Sequence, residues 1–252
     1  MKRLLSAINA AFSYFSILPV AGRAAASPPS SGSLLALPLV GVAIGGLAGL
    51  GAQLVARVSS VPLSSATAFG LSIALSGAIH VDGFLDCSDA VFAEVAPAQR
   101  LEILKDPHHG SFAIATMAAI SSVWIASLQT CQLQRLPALL AYSAALVRYA
   151  AVVNAAIFPA GSGPRSTEAL RIKLRLDALL AEAALFVVVA RTLGPRVWVT
   201  VPLSLIGSIV LARPIVSRLG GGLTGDAYGF LIVALEPAII AVTAALTKDE
   251  AA

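Results

Sequence analysis

Charge is scarce in this chain. Of its 252 residues, 17 are Lys or Arg and 13 are Asp or Glu, 12% in all, where an ordinary soluble protein carries roughly 25%. That is too little to coat one or two water-soluble domains of this length. Cysteine is nearly absent: Cys87 and Cys131 are the only two, which excludes a disulfide framework. Long basic runs are missing too, so the net charge of +4 is scattered and gives no nucleic-acid footprint. There is no internal repeat, no polar soluble domain and one obvious linker, the Pro/Ser-rich stretch Ala24–Ser33. What is abundant is apolar: 58% of the residues are hydrophobic, which excludes a disordered chain and leaves a polytopic membrane protein.

A span needs about 20 mostly apolar residues. By that measure spans are expected near Leu35–Ala56, Leu63–Ile79, Phe112–Thr130, Leu136–Phe158, Ala178–Ala190, Val197–Ala212 and Ala227–Leu246. No period-two alternation of a β-barrel is present, and Ala, Leu and Gly dominate. The expected fold is therefore all-α, a single membrane-embedded helical bundle over residues 1–252 with about 6–8 crossings. Lys2, Arg3 and the apolar run up to Ala24-Ala25-Ala26 imitate a cleaved signal peptide. Ser6, Asn9, Ser13 and Ser16 nevertheless recur opposite Leu5, Ile8, Phe12 and Phe15, the two-faced pattern of a retained amphipathic helix in residues 1–26. With the N-terminus inside, one side carries Lys2, Arg3, Arg23, Arg100, Lys105, Arg165, Arg171, Lys173, Arg175, Arg213 and Arg218. The other carries Arg57, Arg135, Arg191, Arg196 and Lys248. This bias predicts a multi-pass protein of the cell inner membrane, with the loops 81–111, 159–177 and 213–226 in the cytoplasm.

The few acidic residues are not spread evenly. Six of the thirteen are Asp82, Asp86, Asp89, Glu94, Glu102 and Asp106. At about 100° per residue, Asp86 lies about 40° and Asp89 about 20° from Asp82, on opposite sides. One helix face then carries three carboxylates, which repel one another and are costly beside a membrane. A bound divalent cation offsets that cost, and an all-oxygen donor set favours Mg²⁺ or Mn²⁺ over zinc. The plainer alternative is a solvated charged face at the end of a span. A zinc site from His80, Cys87, His108 and His109 matches no usual zinc spacing. His80 points about 160° from Asp82, which leaves it as an indirect or acid–base candidate.

The same side of the membrane offers groups for an anion. Lys105 supplies a point charge, Asp106 lies beside it, and Gly110 and Ser111 can present backbone N–H groups where the next span starts. In Gly220-Gly-Gly222-Leu-Thr224-Gly225-Asp226-Ala-Tyr-Gly229 the glycines allow close backbone approach to a phosphate, while Thr224 and Asp226 add a hydroxyl and a carboxylate. Arg148 and Glu236 are ionisable groups deep inside expected spans, either paired with each other or, for Arg148, set to hold a substrate phosphate.

Taken together, these residues give the chain a resemblance to the cobalamin synthase (adenosylcobinamide-GDP ribazoletransferase) family. That family shows stretches like H-x-D-G-x-x-D-x-x-D-G, then L-E-I-M-K-D-x-x-x-G-x-F-G, then G-G-L-T-G-D-x-x-G. Here they read His80-Val-Asp82-Gly83-Phe-Leu-Asp86-Cys-Ser-Asp89-Ala90, Leu101-Glu102-Ile-Leu-Lys105-Asp106-Pro-His-His-Gly110-Ser111-Phe112-Ala113, and Gly221-Gly222-Leu-Thr224-Gly225-Asp226-Ala-Tyr-Gly229. Phe15-Ser-Ile-Leu-Pro19-Val and Pro38-Leu-Val-Gly41 are similar to the family's opening. Ala90 and Ala113 stand where the family has glycine, and Pro107-His108-His109 departs from its usual segment.

The resemblance implies a membrane enzyme acting on adenosylcobinamide-GDP and α-ribazole or its 5′-phosphate. A ribazole hydroxyl attacks the phosphorus attached to cobinamide and GMP leaves, a transfer governed by positioning and charge neutralisation. On this reading Asp82 and Asp86 hold Mg²⁺, and Asp89 shares the metal or takes the hydroxyl proton. Lys105, with Gly222, Thr224, Gly225 and Asp226, steadies the phosphates. Three other readings compete, the weakest being a prenyltransferase, which needs two aspartate-rich motifs where only one such run is present. A CDP-alcohol phosphotransferase requires an Ala-Arg pair where Asp86-Cys87 stands. A cation transporter would distribute its acids through the spans instead of crowding them at one face. The partners expected are the two substrates and the lipid bilayer, with no nucleic acid.

Overall fold

The computed structural model of the protein describes residues 2–20, 31–161, 187 and 191–248. The expected span at Ala178–Ala190 (save Val187), the basic stretch Arg165–Arg175 and residues 21–30 lie outside the described residues. Among the described residues ten α-helices follow one another: α1 Lys2–Phe15, α2 Ser31–Leu35, α3 Leu37–Val55, α4 Val61–Leu75, α5 Ile79–Phe92, α6 Pro97–Ile103, α7 Ser111–Gln129, α8 Leu136–Ile157, α9 Thr200–Arg218 and α10 Gly225–Lys248. Among the described residues five helical stretches are long and apolar enough to cross a membrane: Leu37–Val55, Ser111–Gln129, Leu133–Ile157, Pro195–Arg218 and Gly225–Thr247. A sixth crossing is available if α4 and α5 together form one broken span. The architecture is the all-α polytopic bundle expected from composition.

Helix α8 is the centre of the bundle. It is apolar on every side and buried along most of its length, with Leu139, Leu140, Tyr142 and Leu146 closed off from the surface, as expected of an enclosed helix. Helix α3 lies directly on it. Gly41, Gly45 and Gly49, spaced by four, face the backbone of α8 at Ala144, Leu140 and Pro137, and a Cβ at any of the three would collide with it. Such stripes of small residues let helices meet closely where lipid supplies no hydrophobic drive between them.

The expected span Leu63–Ile79 is not one straight helix. The chain turns by 92° between α4 and α5. Gly77 and Ala78 both adopt left-handed backbone, at φ 61° and 58°. The N–H groups of Gly77 and Ala78 donate back to the carbonyls of Ala74 and Ile73 at 2.9 and 3.0 Å, closing α4 with the paired bonds of a left-handed terminus. Ile17, just after α1, donates its N–H to Leu75 O at 2.9 Å. Two residues earlier Phe15 stacks on His80, ring centroids 5.9 Å apart. The N-terminal segment thus clamps the corner from which α5 leaves. Apolar periodicity carries no sign of this turn, because the residues at the corner are Gly and Ala inside an apolar run.

A left-handed alanine costs about 1–2 kcal/mol that glycine does not incur. Ala78→Gly is therefore expected to raise the thermal stability of the detergent-solubilised protein by about 1 kcal/mol, net of glycine's greater chain entropy. A lower unfolding temperature would contradict the corner described here.

Candidate active site

Helix α5 carries the acidic strip, and three other segments converge on it. The first is α10. A Cβ at Gly83 would lie 2.9 Å from Asp226 Cα, and one at Gly229 would lie 2.8 Å from His80 O. Only glycine lets the two backbones come this close. Phe84 stacks on Phe230 beside the contact, centroids 5.2 Å apart. The start of α10, with buried Asp226, is thereby laid against the helix of the aspartates. Thr224 Oγ1 accepts the Ala227 N–H at 3.3 Å and so caps α10. Leu223 donates to Pro159 O at 3.0 Å and accepts from Gly161 N–H at 2.8 Å, which ties the glycine-rich loop to the end of α8. Gly222 packs so tightly there that a Cβ would lie 2.6 Å from Ala160 O.

The second segment is the start of α7. Asp89 is buried, and its two oxygens accept the N–H groups of Gly110 at 2.6 Å and Ala113 at 3.0 Å. Those donors belong to the helix terminus, where no intrahelical acceptor exists and the helix dipole favours an anion. Asp89 therefore acts as the cap of α7, supplied from another helix, and no cation is needed to satisfy its oxygens. Gly110 sits so close that a Cβ would lie 2.9 Å from Asp89 Oδ1.

Fixing Gly110 also fixes its neighbour. His109 Nδ1 lies 3.6 Å from Asp86 Oδ1, and one ligand atom from each of Asp82, Asp86 and His109 falls within 4.8 Å of the other two. Ligands about 2.1 Å from a single ion stand about 3 Å apart when adjacent and about 4.2 Å apart when opposite. The donor set therefore fits a cation after small side-chain movements. The spacing argument placed Asp82, Asp86 and Asp89 together. The structure brings together Asp82, Asp86 and His109, with Asp89 turned to α7.

The third segment holds the far end of α5. Arg100 is buried and donates from Nη1 to Val91 O at 2.6 Å and to Ala90 O at 3.2 Å, and from Nε to Val95 O at 2.9 Å. Arg218 adds a bond to Val91 O at 3.0 Å. Two guanidinium groups thus satisfy orphan carbonyls and meet the negative end of the helix dipole. In the sequence both looked like ordinary positive-inside residues.

The remaining candidates lie elsewhere. Lys105 is exposed and paired with Glu102 at 2.7 Å. Asp106 accepts the His108 N–H at 2.9 Å and faces its ring Nδ1 at 2.8 Å. Those bonds, the backbone one first, hold its carboxyl below the usual range. What these bonds contribute through the ionised carboxylate is present at neutral pH and is lost as pH falls through that lowered value. His80 is buried on the opposite side of α5 from the carboxylates, where it lines a cavity of about 40 Å³ with Ser72, Ser76, Trp124, Arg148 and Glu236. That is room for about three or four waters at about 10–15 Å³ each. Arg148 donates to Ala144 O at 2.9 Å, Trp124 and Glu236 line the same cavity, and Arg148 Nε and His80 Nε2 find no partner among the described residues.

Comparison with known proteins agrees with the motifs. The Cobalamin-5-phosphate synthase family matches residues 7–244, so this chain belongs to a family of membrane-embedded transferases of cobalamin assembly, the Cobalamin-5-phosphate synthases. An adenosylcobinamide-GDP ribazoletransferase of Deinococcus radiodurans is 34% identical over 243 residues, covering 93% of this chain and 84% of its own. Proteins of the same name from Stutzerimonas stutzeri and Herpetosiphon aurantiacus are 31% and 29% identical, over 91% and 99% of this chain and 94% and 99% of theirs. No solved structure matches the chain.

Two outcomes are expected from variants. Asp89→Ala leaves the Gly110 and Ala113 donors unmet and should lower stability by about 2 kcal/mol, Asp89→Asn by about half as much, because the amide oxygen still accepts. Unchanged unfolding of Asp89→Ala would refute the cap. Arg148→Gln removes the cation that shares the cavity with Glu236 and should lower stability by about 1–3 kcal/mol, and the double variant with Glu236→Gln should recover most of it. If the double variant is stable yet no better in substrate KM than Arg148→Gln, Arg148 binds substrate; recovery of both makes the pair structural.

Proposed function

We propose that this chain is the transferase that its relatives' name describes. It takes adenosylcobinamide-GDP and α-ribazole or its 5′-phosphate, joins the ribazole hydroxyl oxygen to the phosphorus that carries cobinamide, and releases GMP with the bridging oxygen. The observation that carries this reading is the convergence at α5: Asp82, Asp86 and His109 within 4.8 Å of one another, with the first turns of α7 and α10 laid against the same helix.

Asp82 and Asp86 would hold a divalent cation of the Mg²⁺ or Mn²⁺ class, since carboxylate oxygens are the donors such hard ions prefer. When bound, the cation supplies charge neutralisation on the diphosphate. The chain's own residues do the positioning. Gly83 and Gly229 bring the glycine-rich loop and Asp226 to the carboxylates, and the first turn of α10 turns its N–H groups toward an anion. Asp89 keeps the start of α7 in place. Lys105, engaged with Glu102 at the surface, serves to attract the anionic substrate into this face, while Arg148 and His80 act from behind α5. Because Arg100, Lys105, Arg213 and Arg218 share this face, the reading sets it toward the cytoplasm at the inner membrane.

Purified protein supplied with adenosylcobinamide-GDP, α-ribazole and Mg²⁺ or Mn²⁺ should release GMP, and chelation should stop it. Asp82→Asn and Asp86→Asn should each lower the rate at least about a hundredfold while the protein stays folded, as expected when a charge-stabilising ligand is lost. GMP release at wild-type rate by either variant would refute the assigned role.

A further inference from the structure

We propose that His109 is a ligand of the cation beside Asp82 and Asp86, and that this nitrogen donor makes the site take Mn²⁺ in preference to Mg²⁺. The inference rests on the cation reading above and adds to it the identity of the third ligand and the ion it selects.

The argument starts from where the imidazole is held. His109 precedes Gly110, whose N–H is bound at 2.6 Å by one oxygen of Asp89 while Ala113 is bound at 3.0 Å by the other. Asp89 and Asp86 lie one turn apart on α5. A clamp on Gly110 therefore sets the His109 side chain over Asp86, where its Nδ1 stands 3.6 Å from Oδ1. The far end of α5 is fixed by Arg100 and Arg218, so neither partner of this approach is carried on a loose element. Asp86 is largely shielded, with 13% of its side chain exposed, and His109 keeps 36%. His109 is thus the more accessible of the two partners.

The other two histidines face away from the carboxylates of Asp82 and Asp86. His80 is buried on the opposite side of α5 against Phe15, and His108 turns to Asp106 at 2.8 Å. The site consists of two carboxylates and one imidazole, which is not the all-oxygen set that the acidic strip alone suggests. Mg²⁺ keeps to oxygen donors and gives up its waters reluctantly. Imidazole nitrogen raises affinity along the first-row divalent series, and among those ions Mn²⁺ is also at ease with carboxylate and water. The segment Pro107-His108-His109 departs from the pattern the chain otherwise resembles, so the preference belongs to this chain's own residues.

Pulsed electron paramagnetic resonance of Mn²⁺ bound to the full-length protein in detergent tests this directly, because a coordinated imidazole imposes a ¹⁴N modulation on the manganese signal. Titration with competing Mg²⁺ reads the preference in the same sample. The expected result is a ¹⁴N modulation that is lost in His109→Gln and kept in His108→Gln, with about tenfold weaker Mn²⁺ binding and a comparable fall in the Mn²⁺ over Mg²⁺ ratio in His109→Gln. Bound Mn²⁺ without nitrogen modulation, or modulation that survives in His109→Gln, would overturn the proposal while leaving the carboxylate site standing. Mn²⁺ binding that is the same in wild type, Asp82→Asn and Asp86→Asn would overturn the cation reading itself, and this inference with it.

Discussion

A helix running straight from Val61 to Phe92 would carry Asp82, Asp86 and Asp89 along the axis of an apolar span, where ionised carboxylates are expensive. The two left-handed residues Gly77 and Ala78 prevent this. They close α4 and turn the chain by 92°, so the acidic helix leaves the line of the segment before it. The corner is held from outside the two helices, by the Ile17 N–H on Leu75 O and by the Phe15 ring on His80. Every feature of the candidate site follows from that turn, since it sets which helix ends α5 can meet.

What α5 meets are the beginnings of two other helices. Asp89 receives α7, and Gly83 receives α10. Both contacts place partially positive helix termini near a row of carboxylates, an arrangement that lowers the cost of gathering like charges before any ion arrives. The opposite end of α5 is treated in the complementary way, with Arg100 and Arg218 on its carbonyls. Charge in this sparingly charged protein is thus concentrated around one 14-residue helix, and much of it serves to hold that helix where the chemistry requires it.

The bundle itself was legible in the amino-acid order. Five of the expected spans correspond to helical stretches long enough to cross a membrane, because long apolar runs in a low-charge chain have few alternatives, and a sixth, Leu63–Ile79, falls on the broken pair α4 and α5. Helix pitch correctly put Asp82 beside Asp86. It could not distinguish Asp89 from them, because the donors that engage Asp89 come from Gly110 and Ala113, more than twenty residues away. Likewise His109 reads as one of a pair of loop histidines until the clamp on Gly110 is known. Arg100 and Arg218 read as topological signals because nothing local says that they reach the end of α5. The corner at Gly77–Ala78 was hidden for a different reason: small apolar residues satisfy a hydropathy window whether the helix continues or stops.

The account stands on one claim, that Asp82, Asp86 and His109 hold a common ion. Crystals of the full-length protein grown with Mn²⁺ and measured at the manganese absorption edge locate the ion without reference to activity. The account predicts an anomalous peak among the two carboxylates and the imidazole, with Asp89 still on the N–H groups of Gly110 and Ala113. A peak elsewhere, or none with the two carboxylates splayed apart, would contradict it.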